Sequence, residues 1–265
     1  MALYCCAKPQ TDLVIECKQI TSGSQIPVKT LPARIEKLER LAPDVIELQL
    51  RLPASERLQF LAGQYIDILL KDGRKRSFSL ANAPHDDALL QLHIRHVPGG
   101  LFTDQVFSTM KARDILRFNG PHGSFYLRED STKPMILLAG GTGFAPIKAI
   151  VEHAMAENCP RPMFIYWGAK AKADLYMDRL PAQWAATHSH IRYVPVLSEP
   201  AADDAWSGRT GFVHQAVLAD FPDLSGHQVY ACGAPAMIEA AKRDFMARGL
   251  PEEEYFADAF SFASN

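Results

Sequence analysis

The chain lacks the cysteine spacing of a zinc site. Its 265 residues contain five cysteines, which are odd in number and irregularly spaced, and none form a C-x-x-C pair. Structural zinc sites depend on such close pairs, so no metal site is predicted. Unpaired, scattered cysteines also suit a reducing compartment better than a disulfide-linked secreted domain. The sequence therefore predicts a cytoplasmic protein.

Three further absences narrow the function. The formal net charge is −2, so there is no basic excess that would indicate a nucleic-acid partner. Glycines, a proline and a lysine interrupt the longest apolar run, "PMILLAGGTGFAPIKAIV", so no membrane span is predicted. No charged segment followed by an apolar one opens the chain, so secretion is not predicted either.

The pattern of apolar residues along the chain changes near residue 132. Before it, short alternating runs stand at 45–51, 63–70, 89–95 and 114–120, separated by Pro, Gly and Asp turns. This pattern is typical of an antiparallel β-barrel. After it, continuous apolar runs such as "MFIYWG" and "QVYACG" alternate with helical segments near 145–157, 173–187, 212–220 and 235–248. Buried strands that alternate with helices predict a parallel sheet covered on both faces.

The stretch "LLAGGTGFAP" carries the strongest motif of the second half. A buried run ends in glycines and Thr142, and a helix is predicted to begin near Ala145. Glycines let the backbone approach a pyrophosphate, and a helix N-terminus offers free N–H donors. A plain strand-to-helix turn without a ligand is the alternative. Pro146 replaces the usual third glycine and no acid closes the next strand, so an ordinary Rossmann dehydrogenase is not predicted.

The first half carries three motifs in order: "RKRSFSLAN" at 74–82, "HIRHVPGGLFT" at 93–103 and "GPHGSFYL" at 120–127. Each has a plain explanation as a strand end, loop or turn. Together with "AGGTGFAP", "VYACGAPAM" and "YFADAFSF", they resemble the ferredoxin–NADP reductase superfamily over residues 30–262. The sequence is most similar to the NAD(P)H–flavin reductases and to the reductase components of oxygenases and of CDP-6-deoxy-glucoseen reductase.

The resemblance implies a six-stranded antiparallel flavin-binding barrel followed by a parallel-sheet, NAD(P)-binding α/β domain. We expect the barrel at 30–130 and the α/β domain at 131–265. Residues 1–29 resemble the tail of a plant-type ferredoxin domain, with Cys5 matching its fourth cluster cysteine. The other three are missing, so we expect no iron–sulfur cluster and either a trimmed chain or a relic of a lost domain.

On the barrel, the resemblance implies a flavin site. The R-x-[YF]-S motif is matched by Arg76, Phe78 and Ser79. Arg76 would neutralise the flavin phosphate, and the backbone around Phe78 would lie along the flavin ring. Ser79 would be catalytic, donating toward the flavin N5 atom that accepts hydride. Further cofactor-binding positions are implied at His93, Ile94, Arg95, Gly99, Gly100 and Thr103, and the last three form a phosphate turn that favours tightly held FAD.

On the α/β domain, the resemblance implies a nicotinamide site. Its cofactor-binding positions are Gly141, Thr142, Gly143, Cys232 and Gly233. Phe260, with Asp258, falls in the C-terminal segment that the resemblance implies near the flavin ring, where it could shield one face, although a core position is the alternative. Cys232 would also be catalytic, beside the nicotinamide, although a buried strand-end cysteine is the alternative. Ser198 is followed by Glu199, whose carboxylate suits a free ribose and predicts NADH. Lys170 and Lys172 would favour NADPH if they reached the same pocket.

The predicted function is hydride transfer from NADH to bound FAD, followed by electron transfer to an external acceptor such as an iron–sulfur protein or an oxygenase-type partner. A reductase that uses free FMN, FAD or riboflavin as its substrate is the alternative. A non-catalytic scaffold is the third interpretation. Intact Arg76, Ser79, Gly141 and Cys232 argue against it.

Overall fold

A computed structural model describes residues 26–260 of the chain. Within this range, twelve strands form two six-stranded sheets, one from each half of the sequence. The predicted remnant of a ferredoxin domain, including Cys5, lies almost wholly outside the described residues.

The first sheet is antiparallel. Its strand order is β4-β3-β6-β1-β2-β5, and an isolated bridge between Leu80 and Leu92 connects its two ends, so the sheet closes into a barrel. The elements are β1 Lys29–Ala42, β2 Val45–Arg51, β3 Tyr65–Leu69, β4 Lys75–Ser79, β5 Leu90–Arg95, α1 Leu101–Ser108 and β6 Ile115–His122.

Alternation along these strands explains the barrel interior. In β5, Leu90, Leu92 and Ile94 are buried, and they pack in one core with apolar residues from the other strands and from α1. The residues between them point away from that core, because successive side chains of a strand lie on opposite faces. The predicted antiparallel barrel is confirmed.

Strand β1 was not among the predicted strands. It is rich in charge and contains Pro32, which lowers strand propensity. Yet Leu31, Ala33 and Ile35 are buried in alternation, as a half-buried strand requires. Pro32 pairs only with β6, since pairing with β2 begins at Arg34, so no sheet hydrogen bond is lost on the open side.

The second sheet is parallel, with the order β10-β9-β8-β7-β11-β12. Apolar clusters cover its two faces, as predicted. The elements are β7 Met135–Gly140, α2 Phe144–Ala156, β8 Met163–Ala169, α3 Arg179–Thr187, β9 Ile191–Leu197, β10 Arg209–Thr210, α4 Val213–Asp220, β11 Gln228–Gly233, α5 Pro235–Met246 and β12 Tyr255–Ala259.

Two details differ from the prediction. The helical region expected over 173–187 contains a short 3-10 turn at Lys172–Asp174 and then α3. The C-terminal segment, which the resemblance implies near the flavin without predicting a strand, forms β12 beside β11. Of the helices that the structure describes, none combines the length and the apolar character that crossing a bilayer would demand.

Candidate active site

A cleft of about 1590 Å³ lies between the barrel and the carboxyl ends of the parallel strands. Its α/β wall contains Gly140, Ala169, Ser198 and Ala259, at the ends of β7, β8, β9 and β12. The strand order reverses beside β7, so the cleft lies at the topological switch point where open α/β sheets bind ligands. Its volume exceeds the roughly 300–1,000 Å³ of a usual single-ligand pocket, which leaves room for two large ligands.

Strand β4 forms the barrel wall, and all five of its residues border the cleft. Arg76 donates a hydrogen bond to the carbonyl of Lys75 at 2.8 Å and makes no ion pair with any residue from 26 to 260. Its guanidinium is therefore available to an anionic ligand. The Phe78 ring packs against Phe102 of α1, with centroids 5.3 Å apart, which fixes the strand's orientation.

The turn before α1 also borders the cleft. Gly99 has φ of +80° and open space where a side chain would stand, so its backbone can approach a ligand closely. The Thr103 hydroxyl donates to the Val97 carbonyl at 2.9 Å, which closes the turn over Gly100. A side chain at Gly100 would meet Thr103 Oγ1 at 2.6 Å. All three predicted turn residues line the cleft.

Strand β5 supplies two further predicted residues to the cleft. Arg95 forms ion pairs with Asp44 and, at 3.5 Å, with Asp174. His93 is fully enclosed, and its Nδ1 lies 3.0 Å from the Tyr176 hydroxyl. Burial lowers the pKa of His93, so the ring is neutral at neutral pH. Ile94 points into the barrel core and does not line the cleft.

The phosphate turn lies opposite β4. Gly141 adopts φ of +55°, and it lines the cleft together with Thr142. Gly143 does not line it, because a Cβ at this position would stand 2.1 Å from the Cys232 carbonyl oxygen. A glycine is needed at position 143 because the turn packs closely onto β11. The α2 helix begins one residue later, so its N-terminal N–H groups face this edge of the sheet.

Cys232 and Gly233 end β11, beneath the cleft rather than in its lining. The Cys232 side chain is wholly buried, and burial raises the pKa of its thiol well above the ordinary value. Cys232 is therefore a neutral thiol. Gly233 has φ of +154°, and a side chain there would meet the Met237 methyl at 2.8 Å.

The barrel and the α/β sheet meet at Ser79. Its hydroxyl donates to Asp258 Oδ2 at 3.2 Å, and Asp258 is the neighbour of Cys232 across the β11–β12 pair. Burial raises the pKa of Asp258. Phe260 follows on the same segment, lines the cleft and donates its backbone N–H to the Gly233 carbonyl.

The far end of the cleft carries residues that bear on nucleotide choice. Lys170 and Ser198 line it, and Glu199 Oε1 lies 3.7 Å from Lys170 Nζ. Lys172 donates from Nζ to the Asp204 carbonyl at 3.2 Å. Lys170 therefore lies beside a carboxylate, whereas the Lys172 ammonium contacts a backbone carbonyl.

Sequence reasoning missed several residues near the cleft. Phe212 is 63% exposed at its rim and stacks on His214, with centroids 6.0 Å apart. An exposed aromatic after a glycine was a usable signal for a ring-binding surface. Tyr176 had no such signal, since only the fold brings it to His93. Across residues 26–260, no cluster of three or more His, Cys, Asp or Glu side chains could hold a metal ion.

The cleft fits a dinucleotide pair by its own features. It offers one unpaired guanidinium at Arg76 and glycine turns on both walls, at Gly99 and Gly141. These are the donor groups that bind phosphates. The Ser79 hydroxyl lies at the junction of the two walls, where it bonds Asp258.

In the comparison with known proteins, two families match the chain, one in each half. Residues 32–126 match the family described as oxidoreductase FAD-binding domain, and residues 137–243 match the oxidoreductase NAD-binding domain. The CDP-6-deoxy-L-threo-D-glycero-4-hexulose-3-dehydrase reductase of Yersinia pestis is 45% identical over 258 residues, covering 97% of this chain and 77% of that protein.

Two other similarities are also to reductases. The terephthalate 1,2-dioxygenase reductase component 1 of Comamonas sp is 37% identical over 237 residues, covering 88% of this chain and 69% of that protein. The crystal structure of the Amycolatopsis cytochrome P450 reductase GcoB superposes with a TM-score of 0.85 at 35% identity, over 92% of this chain and 74% of that one.

Proposed function

The chain belongs to the ferredoxin–NADP reductase family, as an oxidoreductase with FAD and NADH as its cofactors, and from this membership we propose how its residues divide the work. The barrel, residues 30–130, holds FAD as a prosthetic group. The α/β domain, residues 131–265, binds NADH. The observation that carries the proposal is the Ser79–Asp258 contact, which joins the two walls of one cleft.

Three groups hold the FAD. Arg76 binds its phosphates as an unpaired cation, and the backbone of the Gly99–Gly100 turn, on the same barrel wall, approaches them closely. Phe78 and the backbone of β5 flank the ring. FAD supplies the chemistry that no side chain can, accepting a hydride and releasing electrons singly or in pairs.

The α/β wall holds NADH. Gly141 and Thr142 approach its pyrophosphate, and Phe260 covers one side of the reacting region. The Glu199 carboxylate lies 3.7 Å from Lys170 Nζ, so it offsets the lysine charge and disfavours a 2′-phosphate on the ribose. That balance favours NADH over NADPH.

Ser79 acts at the reacting atoms. Its hydroxyl reaches the junction of the two walls and can donate to charge that develops there during hydride transfer. Cys232 lies beneath the cleft and supports the phosphate turn. Its thiol is neutral and buried, and its backbone packs on Gly143. The protein's main contribution is to hold both reacting rings in place and to exclude water.

The acceptor is an iron–sulfur protein or an oxygenase-type partner. This part of the proposal rests on relatives that are named reductase components of a dioxygenase and of a dehydrase. The cytoplasm is the proposed location, because the electron donor NADH is maintained there.

A visible spectrum of purified, desalted protein, followed by anaerobic addition of NADH, tests the proposal. Flavin bands that stay with the protein and bleach with NADH are expected. A colourless protein that oxidises NADH only after flavin is added would reject prosthetic FAD and make free flavin the substrate. Titration of the NADH-reduced protein with a [2Fe–2S] ferredoxin then tests the acceptor class.

A further inference from the structure

One face of strand β5 makes three successive polar contacts with the α/β domain. Gln91 Oε1 accepts from Lys148 Nζ at 3.3 Å, His93 Nδ1 lies 3.0 Å from the Tyr176 hydroxyl, and Arg95 pairs with Asp174 at 3.5 Å. These side chains alternate with the residues of β5 that fill the barrel core. Strand β5 of the flavin barrel is therefore a docking strip for the second domain, in addition to the Ser79–Asp258 contact of β4.

The central contact is the shortest and most enclosed of the three. His93 is fully buried, and its Nε2 faces the Glu47 carboxylate at 3.6 Å. The carboxylate favours a proton on Nε2, so Nδ1 is the acceptor and the Tyr176 hydroxyl is the donor. Burial favours raising the pKa of Glu47, but the His93 ring and the Gln49 amide together hold it below its ordinary value, so the carboxylate stays charged.

Tyr176 continues this contact to the phosphate turn. Its ring meets Trp167 edge-on at 5.1 Å, and Trp167 stacks flat on Phe144 at 3.9 Å. Trp167 Nε1 then donates to the Gly141 carbonyl at 2.9 Å. An unbroken series of contacts therefore runs from the flavin strand to the turn that approaches the nucleotide.

We propose that Tyr176 is a positioning residue for hydride transfer, whose bond to His93 holds the phosphate turn in register with the flavin strand. The proposal rests on the function proposed above. Bond formation between reacting atoms is sensitive to small displacements, and about 1 Å can cost on the order of 100-fold in rate. The flanking Gln91 and Arg95 contacts remain when Tyr176 is changed, so we expect a loss of rate smaller than this 100-fold.

Tyr176→Phe removes the hydroxyl and keeps the ring on Trp167. The matched control is Tyr193→Phe, because the Tyr193 hydroxyl donates to Asp178 at 2.7 Å within the α/β domain and does not cross to the barrel. We expect about a 5- to 10-fold lower limiting rate of flavin reduction in Tyr176→Phe, with a nearly unchanged half-saturating NADH concentration. Tyr193→Phe should reproduce wild-type values.

Amide hydrogen exchange of the holoprotein provides a readout that does not depend on turnover. Tyr176→Phe should accelerate exchange several-fold at residues 91–95 and 141–147, and Tyr193→Phe should not. Equal rates and equal exchange in the two variants would overturn the proposal. So would a thermal midpoint of Tyr176→Phe lying more than about 5 °C below that of the control, since the bond would then support the fold.

The two proposals fail separately. Wild-type protein that NADH does not reduce would reject the proposed function. The exchange comparison would still decide whether Tyr176 couples the strand to the turn.

Discussion

The Ser79 hydroxyl and the Asp258 carboxylate lie 3.2 Å apart, although 179 positions separate them in the chain. Serine has one proton to donate, and here it is directed at Asp258. The same proton is the one we propose for the reacting centre. The protonation state of Asp258 therefore decides where Ser79 points.

Ser79→Ala should slow flavin reduction by NADH about 10- to 1,000-fold, the usual cost of losing one transition-state donor. FAD should remain bound, because the phosphate contacts of Arg76 and the 99–103 turn are untouched. Stopped-flow absorbance gives the rate and the retained flavin together. Ser77→Ala is the control, since the Ser77 hydroxyl bonds Asp67 instead. A rate equal to the control removes Ser79 from the mechanism.

Asp258→Asn should abolish a pH dependence of flavin reduction that we expect of the wild type. Burial raises the pKa of Asp258, so its carboxyl becomes neutral at a higher pH than an exposed one. The neutral acid can donate to Ser79 Oγ, which frees the serine proton to face the cleft. Flavin reduction should therefore become faster as pH falls through this pKa.

An asparagine amide at position 258 donates permanently, so the variant should keep the fast rate at all pH values where it is folded. The measurement is the limiting rate of flavin reduction against pH for both proteins. Parallel profiles would mean that another group titrates.

Arg76→Ala should release FAD. A charge-assisted hydrogen bond contributes about 1.5–3 kcal/mol, which corresponds to about a 10- to 100-fold weaker flavin affinity. Arg74→Ala is a close control, since Arg74 is two residues away, pairs with Asp72 and does not line the cleft. Absorbance at flavin wavelengths after gel filtration distinguishes them. An Arg76 variant as yellow as the control contradicts the phosphate role.

Local pattern was enough to predict both sheets. Alternation at 45–51 and at 89–95 exposes a period of two directly, and apolar runs such as Met135–Gly140 indicate strands covered on both faces. Strand β1 was not predicted, because Pro32 and its many charged residues obscure the alternation of its buried and exposed side chains. Residue propensity for strands is a weak guide at a position such as Pro32, which pairs with a neighbouring strand on one side only.

Only part of the candidate site could be predicted from local sequence patterns. Motifs identified Arg76, Ser79 and Gly141, since glycine turns and strand ends are local. The contacts His93–Tyr176 and Ser79–Asp258 span 83 and 179 residues, and only docking of the two domains creates them. For the same reason the sequence could not distinguish Gly141, which faces the cleft, from Gly143, which packs on β11.

Glu199→Arg should raise the ratio of NADPH to NADH activity. The change removes the carboxylate 3.7 Å from Lys170 Nζ and leaves two cations at the end of the cleft, where a 2′-phosphate would lie. Glu253→Arg carries the same charge change on an exposed turn away from the cleft and is the control. The ratio of kcat/KM values decides, and an unchanged ratio means that Glu199 is not near the ribose.

Gly143→Ala separates two reasons for a glycine in the phosphate turn. If Gly143 served only to approach a phosphate, an added methyl would weaken NADH binding and leave the fold intact. The structure instead places that methyl 2.1 Å from the Cys232 carbonyl oxygen, a backbone atom that cannot move aside alone. We therefore expect the free energy of unfolding to fall by about 1–3 kcal/mol, as for other overpacked sites.

Urea unfolding measures this loss, with Gly226→Ala as the control, because a Cβ at Gly226 would meet nothing within 4 Å. Equal stability of the two variants would show that the turn can shift away from β11. NADH affinity would then be the property to measure, since the glycine would be needed for the ligand and not for the strand beneath it.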